Sequence, residues 1–208
     1  MFGFGPDMIY GIPGLLIAMT VHEYAHARVA DNLGDFTPRM NGRLTLNPVA
    51  HIDPIGLITL FFAQIGWAKP VPINPNNFDN ARQGEMQVSL AGPIANLVTA
   101  LVATIAYALC WKYGVNEHWL LMVIRLIIIF NINFAIFNMI PLPPLDGSKV
   151  LSALLPGHLA YRFETSAINR YSFLILIILV FSGILGYIIY PISSFIMGIF
   201  NIIISLIV

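Results

Sequence analysis

His22-Glu23-Tyr24-Ala25-His26 sits inside an apolar stretch, residues 9–30, that reads IYGIPGLLIAMTVHEYAHARVA. On a helix, two histidines four positions apart are offset by about 40° around the axis and about 6 Å along it. Both rings can therefore reach one metal ion, and the intervening Glu23 can face a water on that metal. In a soluble protein this spacing suggests a zinc peptidase. Here the helix is expected in lipid, where an ionisable side chain costs about 2.5–3.5 kcal/mol or more. Three such groups in five residues need a functional or pairing role.

Two histidines do not complete a catalytic zinc site, which usually has three protein ligands and one water. His118 is expected on the far side of the membrane. His158 and Glu164 fall in a polar loop and read as solvated. His51 and Asp53 lie in Asn47-Pro48-Val49-Ala50-His51-Ile52-Asp53-Pro54, close to the motif in sequence. Asp146 lies in Asn138-Met139-Ile140-Pro141-Leu142-Pro143-Pro144-Leu145-Asp146-Gly147. Its three prolines force irregular backbone, tolerated at membrane depth only when buried in protein or lining a wet cavity. Asp146 is thus the strongest candidate, although spacing leaves open an ordinary cap or turn aspartate.

The elements that must position these groups are apolar. Of 208 residues, 58% are hydrophobic and only 10% charged, and the mean hydropathy is +0.80. Soluble domains carry about 25% charged residues. The expected class is an all-α polytopic membrane protein forming one membrane-embedded domain, residues 1–208. Five to six apolar segments are read, at about 8–30, 54–68, 86–112, 119–141, 171–189 and 191–208. The second is shorter than the ~20 residues of a full span, so it is expected to be re-entrant or to lie at the interface. Lys69–Asn77, rich in proline, reads as an extended edge strand or loop near the membrane face. Pro93 either kinks the third segment or lies in its first turn. The catalytic core is placed at about 8–155, and 171–208 reads as a C-terminal helical hairpin.

If 54–68 does not cross, Arg28, Arg39, Arg43, Lys69, Arg82, Lys149, Arg162 and Arg170 all fall inside and Lys112 outside. That bias sets the orientation and puts the HEYAH motif toward the cytoplasmic side of a multi-pass protein of the cell membrane. Arg125, near the outer end of the fourth segment, is expected to snorkel. Asn131 and Asn133 read as interhelical hydrogen-bonding groups. Trp67, Trp111 and Trp119 fall at segment ends, as interface anchors do. The N-terminus shows no basic stretch before its first apolar segment, so that segment is expected to be retained. A net charge of zero without a basic cluster argues against nucleic acid. The single Cys110 excludes an internal disulfide and a cysteine-rich metal site.

HEYAH on an early helix, GPIAN early in a later one and NMIPLPPLDG after a third resemble the site-2 protease family of intramembrane zinc metalloproteases. The resemblance covers about residues 8–155. HExxH alone is a weak signal; both motifs in order, about 120 residues apart, are strongly specific. The resemblance implies that His22, His26 and Asp146 bind one zinc ion and that Glu23 is the catalytic base. It also implies that Asn138 helps hold the substrate chain or the developing oxyanion. His51 is the alternative donor, or a partner that orients a ligand, against a plain buried hydrogen-bonded histidine. The chain resembles compact members without PDZ or CBS domains. The expected activity is hydrolysis of peptide bonds in transmembrane proteins or peptides, whose helix must first unwind locally. Residues 71–77 are placed to pair with the unwound strand. A metal transporter or an inactive scaffold relative is the competing expectation.

Overall fold

A computed structural model of the chain describes residues 8–63 and 66–208. These residues form helices and loops, with no strand among them. Residues 64 and 65 of the expected 54–68 segment lie outside the described residues.

Helix α1 (Met8–Asn32) carries HEYAH. A short α2 (Thr37–Met40) and a 3-10 turn at Pro48–His51 follow. Helix α3 spans Pro54–Ala63, and Asp53 Oδ1 caps its first turn by accepting from the Ile55 and Gly56 N–H groups. After a 3-10 turn at Pro75–Asn77 the chain enters α4 (Ala81–Lys112), with Asn80 Oδ1 accepting from Gln83 N. Helix α5 is His118–Asn138. Four shorter helices follow: α6 (Asp146–Leu154), α7 (Gly157–Glu164), α8 (Ala167–Arg170) and α9 (Ser172–Phe181). The last is α10 (Ile184–Ile207).

Helices α1, α4 and α5 pack against one another and form the centre of the molecule. Glycine lets them approach. A Cβ on Gly14 of α1 would lie 3.0 Å from the Leu126 carbonyl oxygen of α5. On the other side α10 closes a cluster with α4 and α5 through Phe200, Ala100, Ile128, Ile132 and Ile136. Three helices, α4, α5 and α10, are long and apolar enough to cross a membrane. The outer faces of α4 and α10 are apolar too: Ile94, Val102, Phe195 and Leu206 are exposed. In water such faces would be aggregation surfaces; in hydrocarbon they are the solvated side.

One boundary differs from the sequence-based expectation. The C-terminal break falls at Ser182–Gly183, not near residue 190. Gly183 adopts φ 76°, a left-handed conformation that glycine enters without strain, while α10 runs on through Pro191. Pro93 lies well inside α4, which leaves the first of its two expected placements and excludes the first turn. Helices α3 and α9 have ten residues each, about 15 Å by helical rise and half the ~30 Å hydrocarbon core.

The proline-rich stretch contains no α-helix, only the 3-10 turn at Pro75–Asn77, and is pinned by buried charges. One isolated antiparallel bridge joins Ile52 to Ala68, and the Lys69 N–H donates to the His51 carbonyl at 2.8 Å. Arg43 is buried and has no carboxylate partner among the described residues. Its guanidinium donates to the carbonyls of Ala50, Lys69 (3.3 Å) and Pro70 (3.0 Å). Asp35, fully buried, accepts from Thr37 N (3.1 Å), Thr37 Oγ1 (2.5 Å), Asn74 N (2.7 Å) and Asn77 Nδ2 (2.7 Å). Burial alone would raise the Asp35 pKa, but the hydrogen bonds from Thr37, Asn74 and Asn77 outweigh it and hold the carboxyl below its ordinary range.

Asp35→Asn replaces an acceptor by a donor facing these groups and should cost about 1–3 kcal/mol at pH 7, measured by denaturation in detergent. A depressed folded pKa means that the ionised form stabilises the fold. That contribution is complete above the unfolded value of about 3.9 and is lost as pH falls through the lower folded value. The stability gap between wild type and Asp35→Asn should therefore narrow below about pH 4. A gap that stays constant into acid would show that the Asp35 charge does not hold this segment.

Candidate metal centre

The 3.6-residue period of α1 turns His22, Glu23 and His26 toward one side, and all three are buried. Asp146 arrives from far along the chain. The loop after α5 folds back so tightly that a Cβ on Gly147 would lie 2.2 Å from the Met139 carbonyl oxygen. Only glycine permits that approach, and it lets α6 begin beside α1. Asp146 Oδ2 lies 3.0 Å from His22 Nε2 and 3.2 Å from His26 Nε2. The three side chains offer ligand atoms all within 4.8 Å of one another. The two imidazole rings stand edge to face, 4.5 Å between centroids.

The surrounding hydrogen bonds determine which ring nitrogens carry protons. His26 Nδ1 lies 2.7 Å from the Val88 carbonyl, which can only accept. His22 Nδ1 lies 2.7 Å from Asn96 Oδ1. Asn96 cannot be turned over, because its Nδ2 already donates to the Ala18 carbonyl (2.8 Å) and to Asn131 Oδ1 (2.9 Å). Asn131 is oriented in turn by donating Nδ2 to the Ile127 carbonyl at 2.8 Å. Each histidine therefore donates through Nδ1, and in its neutral form directs an Nε2 lone pair inward. Two lone pairs and a carboxylate oxygen then face one another, and Asp146 Oδ2 is buried without a hydrogen-bond partner. Such a cluster repels itself unless a cation lies at its centre. Two neutral imidazoles and a carboxylate fit a divalent zinc ion with a coordination position left for water.

Glu23 stands beside this cluster. Its Oε2 accepts from the Val71 N–H at 3.1 Å, and its Oε1 makes no hydrogen bond among the described residues. Pro70 and Pro72 flank Val71 and have no N–H to offer, so the donor reaching Glu23 comes from the residue between them.

The remaining sequence candidates lie outside the cluster. Asn138 donates Nδ2 back to the Phe134 carbonyl of its own helix at 3.0 Å. His51, fully buried, has Nε2 at 2.8 Å from the Thr45 carbonyl, while Nδ1 has no hydrogen-bond partner. Asp53 is engaged in capping α3. His118, His158 and Glu164 are exposed. The interhelical bond expected of Asn131 is formed, to Asn96. That expected of Asn133 is not seen: its Oδ1 is buried without a hydrogen-bond partner.

Sequence reasoning missed two supports of His22. It used GPIAN as a mark of resemblance and gave it no part in the site. A Cβ on Gly92 would lie 2.6–2.7 Å from three atoms of the His22 ring, so the imidazole fits only against a bare backbone. Asn96 follows one turn later on the same face of α4. The signal available was an amide in an apolar helix, four residues after a glycine.

Comparison with known proteins identifies the family. The chain is 35% identical over 189 residues to a Bacillus subtilis protein named "Putative zinc metalloprotease YwhC", covering 88% of this chain and 85% of that one. It is 30% identical over 199 residues to "Putative zinc metalloprotease Rip2" of Mycolicibacterium smegmatis, covering 86% and 76%. Similarity reaches an archaeon: "Zinc metalloprotease MJ0392" of Methanocaldococcus jannaschii is 26% identical over 168 residues, 80% of this chain but 41% of that protein. The profile of peptidase family M50 matches residues 113–179. No solved structure gives a significant match. The chain belongs to peptidase family M50, the site-2 protease family of zinc metalloproteases.

Proposed function

We propose that this chain is an intramembrane endopeptidase in which His22, His26 and Asp146 hold the zinc ion and Glu23 moves the protons of hydrolysis. The observation that carries the reading is the convergence of two inward Nε2 lone pairs on Asp146 Oδ2, with a buried glutamate alongside. Zinc bound there would lower the pKa of water to about 7 and polarise the scissile carbonyl. Glu23 Oε1 takes the proton from the attacking water and later returns it to the leaving amine. The Val71 N–H holds Oε2, which restrains the carboxylate in that task.

Asn138 is the first choice for holding the substrate carbonyl or its developing negative charge: one Nδ2 hydrogen is given to the Phe134 carbonyl and the second is available. His51 suits an orienting role better. Its proton is committed to Thr45 through Nε2, which leaves Nδ1 as an acceptor. Residues 71–77 are the segment proposed to pair with an unwound substrate strand, of which 71–74 precede the 3-10 turn at Pro75–Asn77, since exposed peptide groups in lipid cost several kcal/mol each.

The chain is read as a multi-pass protein of the cell membrane with five to six apolar segments. Residues 54–68 enter without crossing, which the ten-residue length of α3 supports. The excess of lysine and arginine on one side places the metal centre toward the cytoplasm. Substrates are transmembrane proteins or peptides.

Glu23→Gln should retain one zinc per chain and lose cleavage of a single-span substrate by at least about 10²-fold. A metal transporter would keep its flux in the same variant. Cleavage that survives a strong chelator would reject the metal mechanism, and undiminished zinc affinity in Asp146→Ala would remove Asp146 from the ligand set. Asn96→Ala frees the His22 tautomer and should weaken zinc binding by about 10–100-fold, read by competition with a chromophoric chelator. Unchanged affinity would mean that Asn96 only joins helices.

A further inference from the structure

Beside the metal centre lies a cavity of about 60 Å³, bounded by Leu15 and Met19 of α1, Phe134 of α5, and Gly56 and Trp67 of the segment between. Three features connect it to the reacting groups. Met19 precedes Glu23 by one turn of α1 and shares its face. Phe134 touches both the cavity and His22, whose ring it meets edge to face at 4.9 Å between centroids. Trp67 stands four residues before Val71, the residue whose N–H holds Glu23. The lining is apolar apart from Asp53, and that carboxylate is occupied capping α3.

We infer that this cavity is a specificity subsite, which takes the side chain of the substrate residue flanking the scissile bond on its bilayer side. The inference rests on the proteolytic reading above and names what that reading leaves open. Met19 and Leu15 lie toward the start of α1, on the lipid side of HEYAH in the proposed orientation, so the residue reaching the cavity comes from the membrane-embedded part of the substrate. An apolar wall with no free polar group rejects charged and amide side chains, which would lose their hydrogen bonds on entry. Size narrows the choice further. A dry apolar cavity of about 150 Å³ takes a benzene ring. One of about 60 Å³ takes an aliphatic side chain of alanine or valine size and excludes phenylalanine and tryptophan. Met19 sets the depth, since its unbranched chain can be shortened or replaced without touching the backbone.

The test uses the purified, zinc-loaded full chain and single-span peptides that differ only at the residues flanking the cleaved bond, taken in turn as Ala, Val, Leu, Phe or Trp. Wild type should cleave the Ala and Val peptides at least about tenfold better in kcat/KM than the Phe peptide. Met19→Ala should bring Phe to within about twofold of Val. Met19→Phe should fill the cavity and shift preference from Val to Ala. Binding of the same peptides to Glu23→Gln should follow the same order, which separates the subsite from the chemistry. If Met19→Ala does not fold, Leu15→Ala enlarges the same wall and carries the same expectation. One ranking shared by wild type and both Met19 variants would overturn the subsite and leave the protease standing. Failure of wild type to cleave any peptide in the presence of zinc would overturn the proteolytic reading and the subsite with it.

Discussion

Three groups, His22 Nε2, His26 Nε2 and Asp146 Oδ2, are brought together in one buried space. The imidazole protons point outward, to Asn96 and to the Val88 carbonyl. In a medium that screens charge poorly, such an arrangement is unfavourable by itself and favourable around a cation. Much of the core serves this arrangement. Gly92 leaves room for one ring, Gly147 turns α6 back under α5, and the Ala18–Asn96–Asn131–Ile127 chain of hydrogen bonds fixes a tautomer. The relatives named as zinc metalloproteases give the cation its identity.

The second constraint is the placement of a proline-rich segment that cannot be α-helical. Such a segment lacks its own hydrogen-bond ladder and needs external partners. Two buried charges supply them. Arg43 gathers carbonyls from both sides of the Ile52–Ala68 bridge, and Asp35 gathers N–H groups farther along. Neither charge is neutralised by the other; each is solvated by peptide and side-chain dipoles. Between these anchors Val71 meets Glu23. The same backbone that binds the glutamate also leads from the wall of the small apolar cavity.

Inside and outside are inverted relative to a soluble enzyme. The buried centre of α1, α4 and α5 holds histidine, asparagine and carboxylate groups, whereas the outer faces of α4 and α10 carry exposed isoleucine, valine, leucine and phenylalanine. Polar groups stay inward because their partners are there, and apolar groups face outward because hydrocarbon does not penalise them. The helices α4, α5 and α10 are long and apolar enough to cross a bilayer on this basis. The short α3 and α9 have lengths suited to partial entry or to lying at its surface.

What the residues alone determined was local. Helical period puts His22 and His26 on one face whatever surrounds them, and a run of prolines excludes α-helix after Asn138 and again after Lys69. The apolar segments were legible for the same reason, since composition acts over a single helix. The C-terminal break lies at Gly183, free to adopt positive φ, while α10 continues through Pro191, so segment composition did not locate it. Tertiary packing decided the rest. Spacing left Asp146 open between ligand and turn residue, because its direction depends on how close α6 comes to Met139. Asn96 and Gly92 looked like helix-packing residues because their partner is a ring on another helix, 74 positions away from Asn96 in sequence. Hydrogen-bond direction and close approach between distant segments are properties of the packed chain, and no window of sequence contains both partners.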